Sequence, residues 1–151
     1  MLLALLLACH GGAVTSGVLQ ADVEGLAQRT WLPTGVAEVR WIVQPTRAGH
    51  GATGRADGRV FAWVTSPRDV SSELTAALGE PLGPRATWIH DDVAAVLFTD
   101  AERGSLQRNE PRKSWKLGCV RYPATGLGRG EYHGDLALDC EGHLYLALTA
   151  H

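Results

Sequence analysis

Toward the carboxyl end of the 151 residues, Leu136 and Leu138 lead into Cys140-Glu141-Gly142, and Leu144, Leu146 and Leu148 lead out of it. Apolar residues at every second position on either side of a glycine-bearing turn describe a β-hairpin. Strand side chains alternate between faces, so the length of the turn decides whether the two leucine sets share one. A two-residue loop, Glu141-Gly142, pairs Leu138 with Tyr145 and Leu136 with Ala147, and sends the sets to opposite faces. A three-residue loop with Gly142 in the left-handed conformation pairs Leu138 with Leu144 and Leu136 with Leu146. The three-residue loop is preferred because it keeps a single apolar face. It also sets Asp139 opposite His143 and leaves Cys140 at the turn, within reach of Cys119 on a neighbouring strand.

The rest of the chain supplies partners for that hairpin. Hydrophobic residues are 45%, charged residues 20%, and 18 Gly with 7 Pro call for many turns, a globular composition of one domain built from short strands. In residues 36–43, Ala37, Val39, Trp41 and Val43 alternate with Glu38 and Arg40, the period of a half-buried strand, with Ile42 out of step. Residues 44–58 carry four glycines at 49, 51, 54 and 58 and read as a long mobile connection. Residues 59–65 are apolar at consecutive positions, which predicts a strand covered on both faces.

A helix is expected over 67–78, with Ser66 as its cap, Pro67 at the first position, Val70, Leu74, Ala77 and Leu78 on one stripe, and Gly79 and Pro81 as the stop. Strands at 86–90 and 93–99 are expected to form a tight hairpin through Asp91-Asp92. Residues 100–114 read as a charged connection, and 115–122 as a strand with Trp115, Leu117 and Cys119 on one face. Gly126, Gly128, Gly130 and Gly134 mark a loose approach to the closing hairpin. The expected fold is α+β: an antiparallel sheet of about five to seven strands with one main helix packed on it.

At the amino end, Met1 to Ala8 is an uncharged apolar run that stops at Cys9. It is far shorter than the roughly 20 residues that cross a bilayer and reads as the end of a signal-peptide hydrophobic region. Leu6-Leu7-Ala8-Cys9 resembles the lipobox of bacterial lipoproteins, which implies cleavage before Cys9, a lipid such as palmitate on it, and a membrane anchor. No Lys or Arg precedes the run, so a start upstream of Met1 stays open. Residues 9–20, small and uncharged apart from His10, then serve as a tether, and the domain spans 21–151. His10 in place of Asp after the cysteine departs from the usual inner-membrane retention signal and favours the periplasmic face of the outer membrane or the cell exterior.

With Cys9 taken by lipid, Cys119 and Cys140 remain as a pair in an oxidising compartment, where a disulfide is expected. Closing a loop of about 22 residues stabilises a fold by roughly 3 kcal/mol in the chain-entropy account. The alternative is two unpaired buried thiols. Neither lies in a Cys-x-x-Cys, so zinc and thioredoxin-like chemistry have no motif to rest on.

Fourteen Lys and Arg against sixteen Asp and Glu leave a net charge of −2, without the basic excess that a phosphate backbone demands; nucleic acid is not an expected partner. Metal-capable residues occur at His90 with Asp92, at His133 with Asp135, and at Asp139 with His143, but none has the helical spacing that sets two imidazoles on one face. A turn acid pair and cross-strand charge partners account for all three without a metal, and that reading is preferred. Gly126-Leu127-Gly128-Arg129-Gly130 lacks the Gly-Lys-Ser/Thr of a phosphate loop, and no serine sits in a nucleophile elbow. No cofactor is indicated. Of the five tryptophans, Trp31, ahead of Leu32-Pro33, is the one expected to be exposed and free to bind.

Val70, Leu78-Gly79-Glu80-Pro81 and Trp88, a helix ending in Leu-Gly-x-Pro followed by a strand with tryptophan, resemble the small outer-membrane lipoproteins of the SmpA/OmlA type over about twenty residues. That resemblance implies a part in envelope assembly and transfers no functional residue. The function expected is therefore a lipid-anchored, non-catalytic binding module that meets an envelope protein or the cell wall. The alternative is a secreted periplasmic enzyme with a metal-assisted His/Asp site.

Overall fold

In the computed structural model, which describes residues 17–45, 58–67 and 69–150, the closing hairpin turns in two residues. Strands β6 (Tyr132–Asp139) and β7 (His143–Ala150) pair Leu138 with Tyr145, Leu136 with Ala147 and Asp139 with Leu144. Glu141 and Gly142 both have positive φ, 50° and 89°, as the two central residues of a type I′ turn require. The three-residue register expected from sequence is thus corrected, and with it the Asp139/His143 pair. Its premise fails because both faces of the sheet are buried: Leu144, Leu146 and Leu148 pack into one core and Leu138, Tyr145 and Ala147 into the other.

The same division runs through the neighbouring strands. β1 (Glu38–Pro45) pairs with β2 (Gly58–Thr65), and β2 with β7. Val39, Trp41, Val60, Ala62 and Val64 serve the first core; Ile42, Phe61 and Trp63 serve the second. Ile42, out of step with a one-sided strand, is in step with a two-sided one. The seven strands form one curled antiparallel sheet in the order β1-β2-β7-β6-β5-β3, where β3 is Gly83–His90, β5 is Ser114–Tyr122 and the short β4 (Gln107–Asn109) also pairs with β5.

Short helices close the two faces. α1 (Val23–Ala27) and α2 (Ser71–Leu78) lie over the first core through Leu26 and Leu74. α2 begins at Ser71 rather than at 67, because Asp69 Oδ1 accepts from the Ser71 N–H at 2.9 Å, while the Ser66 N–H donates to Gly142 O at 3.1 Å. Val70, Leu74 and Leu78 keep the expected stripe; Ala77 is exposed. On the second face, α3 (Asp91–Leu97) stands where a strand at 93–99 was expected, followed by α4 (Asp100–Gly104). His90 caps α3 by accepting from the Asp92 N–H, and Asp91 takes both guanidinium nitrogens of Arg108, at 2.6 and 2.8 Å, and the Trp115 indole N–H at 2.7 Å. Val93, Ala94 and Leu97 then fall on one helical face against the second core.

Two loops are tighter than their composition implied. Residues 17–20, placed in the tether by sequence, already bond to β1: the Gly17 N–H donates to Val43 O at 2.7 Å and Gln20 exchanges bonds with Trp41. In the approach to β6 Leu127 is fully buried, and a Cβ on Gly128 would overlap the carbonyl oxygen of Tyr132. A Cβ on Gly134 would overlap the carbonyl oxygen of Ala124 and lie 2.7 Å from Leu127 Cβ, whereas one on Gly118 would meet nothing within 4 Å among the described residues. Gly134→Ala is therefore expected to lower unfolding free energy by about 1–3 kcal/mol in urea titration, and Gly118→Ala to leave it level or raise it by up to about 1 kcal/mol.

Candidate functional site

β5 carries β3 along one edge and shares its other edge between two strands. β4 pairs with residues 114–116 and β6 with residues 120–122, so Leu117, Gly118 and Cys119 have no ladder partner on that side among the described residues. The Asp91 N–H donates to Lys113 O at 2.9 Å beside β3, and the Cys140 N–H to His143 O at 2.8 Å beside β7. Antiparallel ladders alternate, so odd-numbered residues of β5 turn their backbone groups to β3 and even-numbered ones to β4 and β6. Gly118 therefore directs its N–H and C=O into a split in the sheet.

The Cys119–Cys140 disulfide lies at one margin of this split, with Cα atoms 4.8 Å apart. It continues the β5–β6 ladder one step past the Val120–Asp139 pair, at a spacing close to the roughly 4.5 Å of a pair that exchanges no backbone bonds. The split opens into a cleft of about 540 Å³ walled by Trp63, Phe98, Leu106 and Leu117 and rimmed by Glu102, Asp139, Glu141 and His143. Phe98 meets Trp63 edge-on at 4.8 Å, and His143 stacks on it at 4.8 Å with an interplanar angle of 13°. Trp63 is only 6% exposed, and its Nε1 is buried with no hydrogen-bond partner among the described residues. A buried donor without a partner is costly enough that most folds avoid it.

A second hollow adjoins the first and shares Val120, Asp139 and Glu141 with it; Ser66, Asp69 and Val70 line its far side. Ser66 Oγ is buried and also has no hydrogen-bond partner among the described residues. Burial, and then the nearby charges of Asp69 and Glu141, push the Asp139 carboxyl above the usual carboxylate range against a backbone hydrogen bond from Glu141. Among the described residues, neither hollow is lined by Lys or Arg. Glu102 differs from the other acids because it is already engaged. Its carboxylate takes Arg40 Nη1 and Nη2 at 2.8 and 2.9 Å and the Thr99 N–H at 2.9 Å, and these bonds hold its pKa down to about 2.

Of the metal-capable residues singled out from sequence, Asp139 and His143 both rim the cleft and the others are dispersed. His90 is the α3 cap and lies beside Asp92; His133 sits on β6 opposite Thr149; Asp135, at the bulge, accepts from Thr149 Oγ1; His143 Nδ1 is 3.0 Å from Thr65 Oγ1. Among the described residues no three His, Cys, Asp or Glu side chains gather where they could hold a metal ion. Trp31 is half-buried against the first core, and Trp88, at 41%, is the exposed tryptophan instead. Cys9 lies outside the described residues. Sequence reasoning passed over Trp63, Gly118 and Glu102; the one available signal was Gly118, an isolated glycine inside a strand pattern, which marks a bulge or a close backbone approach. The chain matches no protein-family model, no curated protein and no solved structure.

Because the folded state holds Glu102 below its ordinary pKa, the stability that this carboxylate contributes is fully present above the ordinary glutamate value and is lost as pH falls toward 2. Glu102→Gln is expected to destabilise the protein at pH 7 by an amount between the ~1 kcal/mol of an exposed pair and the ~3–5 kcal/mol of a buried one. The gap between wild type and variant should narrow steadily in melts recorded from pH 5 down to pH 2.

Proposed function

We propose that this chain is a lipid-anchored, non-catalytic binding module of a bacterial cell envelope, held through Cys9 at the periplasmic face of the outer membrane or on the cell exterior. It takes an envelope protein as partner at the split between β4 and β6. The observation that carries the binding role is the split itself, an opening where the middle of the β5 edge has no ladder partner among the described residues. Leu6-Leu7-Ala8-Cys9 supports the anchor. The Cys119–Cys140 disulfide supports an oxidising compartment, where such bonds persist.

The metal-assisted alternative calls for His90, His133 and His143 at one centre. His90, His133 and His143 occupy separate settings, with His90 capping a helix and His143 stacked on Trp63.

Radiolabelled palmitate fed to a bacterium expressing the full chain is expected to mark the wild-type protein and not Cys9→Ala; equal label in both removes the anchor. Gentle crosslinking before solubilisation is expected to recover an envelope protein, with yield falling several-fold in Gly118→Pro, which removes the N–H that faces the split. Recovery of nothing, or of the same partner at the same yield from both forms, counts against the split as the binding surface.

A further inference from the structure

Resting on the binding-module reading above, we infer that the split between β4 and β6 receives a short, extended, basic peptide segment: its backbone pairs with Gly118, and a Lys or Arg side chain lies against Asp139 and Glu141. Three independent observations select this class of ligand.

The first is the edge. Gly118 presents one N–H and one C=O on the same side of β5, between strands that pair on either flank, and a peptide backbone supplies the complementary acceptor and donor together. It carries no side chain, and among the described residues no atom lies within 4 Å of where a Cβ would stand, so the sheet face beside it is clear. The second is charge. Asp69, Asp139 and Glu141 surround the junction of the two hollows with no Lys or Arg in either lining among the described residues. Burial already disfavours the ionised form of Asp139, so a cation placed there relieves a cost that the free protein carries. An acidic segment meets repulsion at the same place. The third is the wall. Phe98, Leu106 and Leu117 offer apolar contact, and Trp63, 6% exposed, adds part of its ring to the same wall. A volume of about 540 Å³ holds a few residues rather than a folded domain.

The test uses the full chain, isotope-labelled in detergent micelles, titrated with three capped pentapeptides: Val-Arg-Val-Arg-Val, Val-Gln-Val-Gln-Val and Val-Glu-Val-Glu-Val. The arginine peptide is expected to shift the Trp63 indole and Gly118 amide resonances. Its affinity should fall about tenfold in Asp139→Asn/Glu141→Gln and weaken at raised salt. The glutamine peptide should bind more weakly and the glutamate peptide not at all. The rest of the variant's spectrum reports its folding independently. Equal response to all three peptides, preference for the glutamate peptide, as an acidic cell-wall peptide would show, or shifts that bypass Trp63 and Gly118 each overturn the inference. If photocrosslinking from position 118 captures an envelope protein while no peptide binds, the binding-module reading stands and the basic-peptide assignment falls. If neither occurs, both fall.

Discussion

The inner strands β2 and β7 have apolar layers on both sides, and this two-sided burial governs how the rest of the chain must be arranged. Val60, Ala62, Val64, Leu144, Leu146 and Leu148 face one core; Phe61, Trp63, Tyr145 and Ala147 face the other. An antiparallel sheet can leave one face in water, but this alternation leaves no polar face to expose. Each face therefore needs a cover, and with short connections the cover comes in pieces. α1, α2 and the loop around Leu127 lie on one side, and α3 with Phe98 lies on the other.

The split in the sheet follows from how the second cover is attached. α3 leaves β3 directly, and Asp91 is fixed to Arg108 of β4 and Trp115 of β5, which brings β4 onto the edge of β5 that β6 uses farther along. Two strands then share one edge and leave Gly118 between them. Arg40, bonded to both Leu97 O and Glu102, ties β1 to the helices that wall the cleft. The disulfide joins β5 to β6 where their ladder stops. The opening is thus bounded by an ion pair, a covalent bond and the Asp91 network, and its shape does not depend on a ligand to form it.

How much was legible in the sequence varied with the range of the interaction responsible. The Leu74 stripe and the β2 run depend on neighbours within a few positions, and both were read with their correct periods. The Cys119–Cys140 bond needed only the count of cysteines and a hairpin that brings position 140 beside a strand. α3 was missed because Val93, Ala94, Val96, Leu97 and Phe98 form a short apolar run that suits either period. What selects the helix is the cap from His90 and the anchoring of Asp91 by residues 17 and 24 positions away. Trp31 and Trp88 exchanged exposures because each environment is built by distant loops and strands.

From sequence alone come the α+β class, an antiparallel sheet, the position of the main helix's buried stripe, the disulfide, and an apolar run that ends at Cys9. All of these rest on local periodicity, chain composition or cysteine arithmetic. The tertiary structure alone decided the hairpin register, the identity of α3 and the site. Register turns on whether one or both faces of a sheet are covered, and that is settled by segments far away in the chain. The split at Gly118 is a property of three strands together: no single strand contains it, and it exists because β4 and β6 compete for one edge and neither reaches its middle.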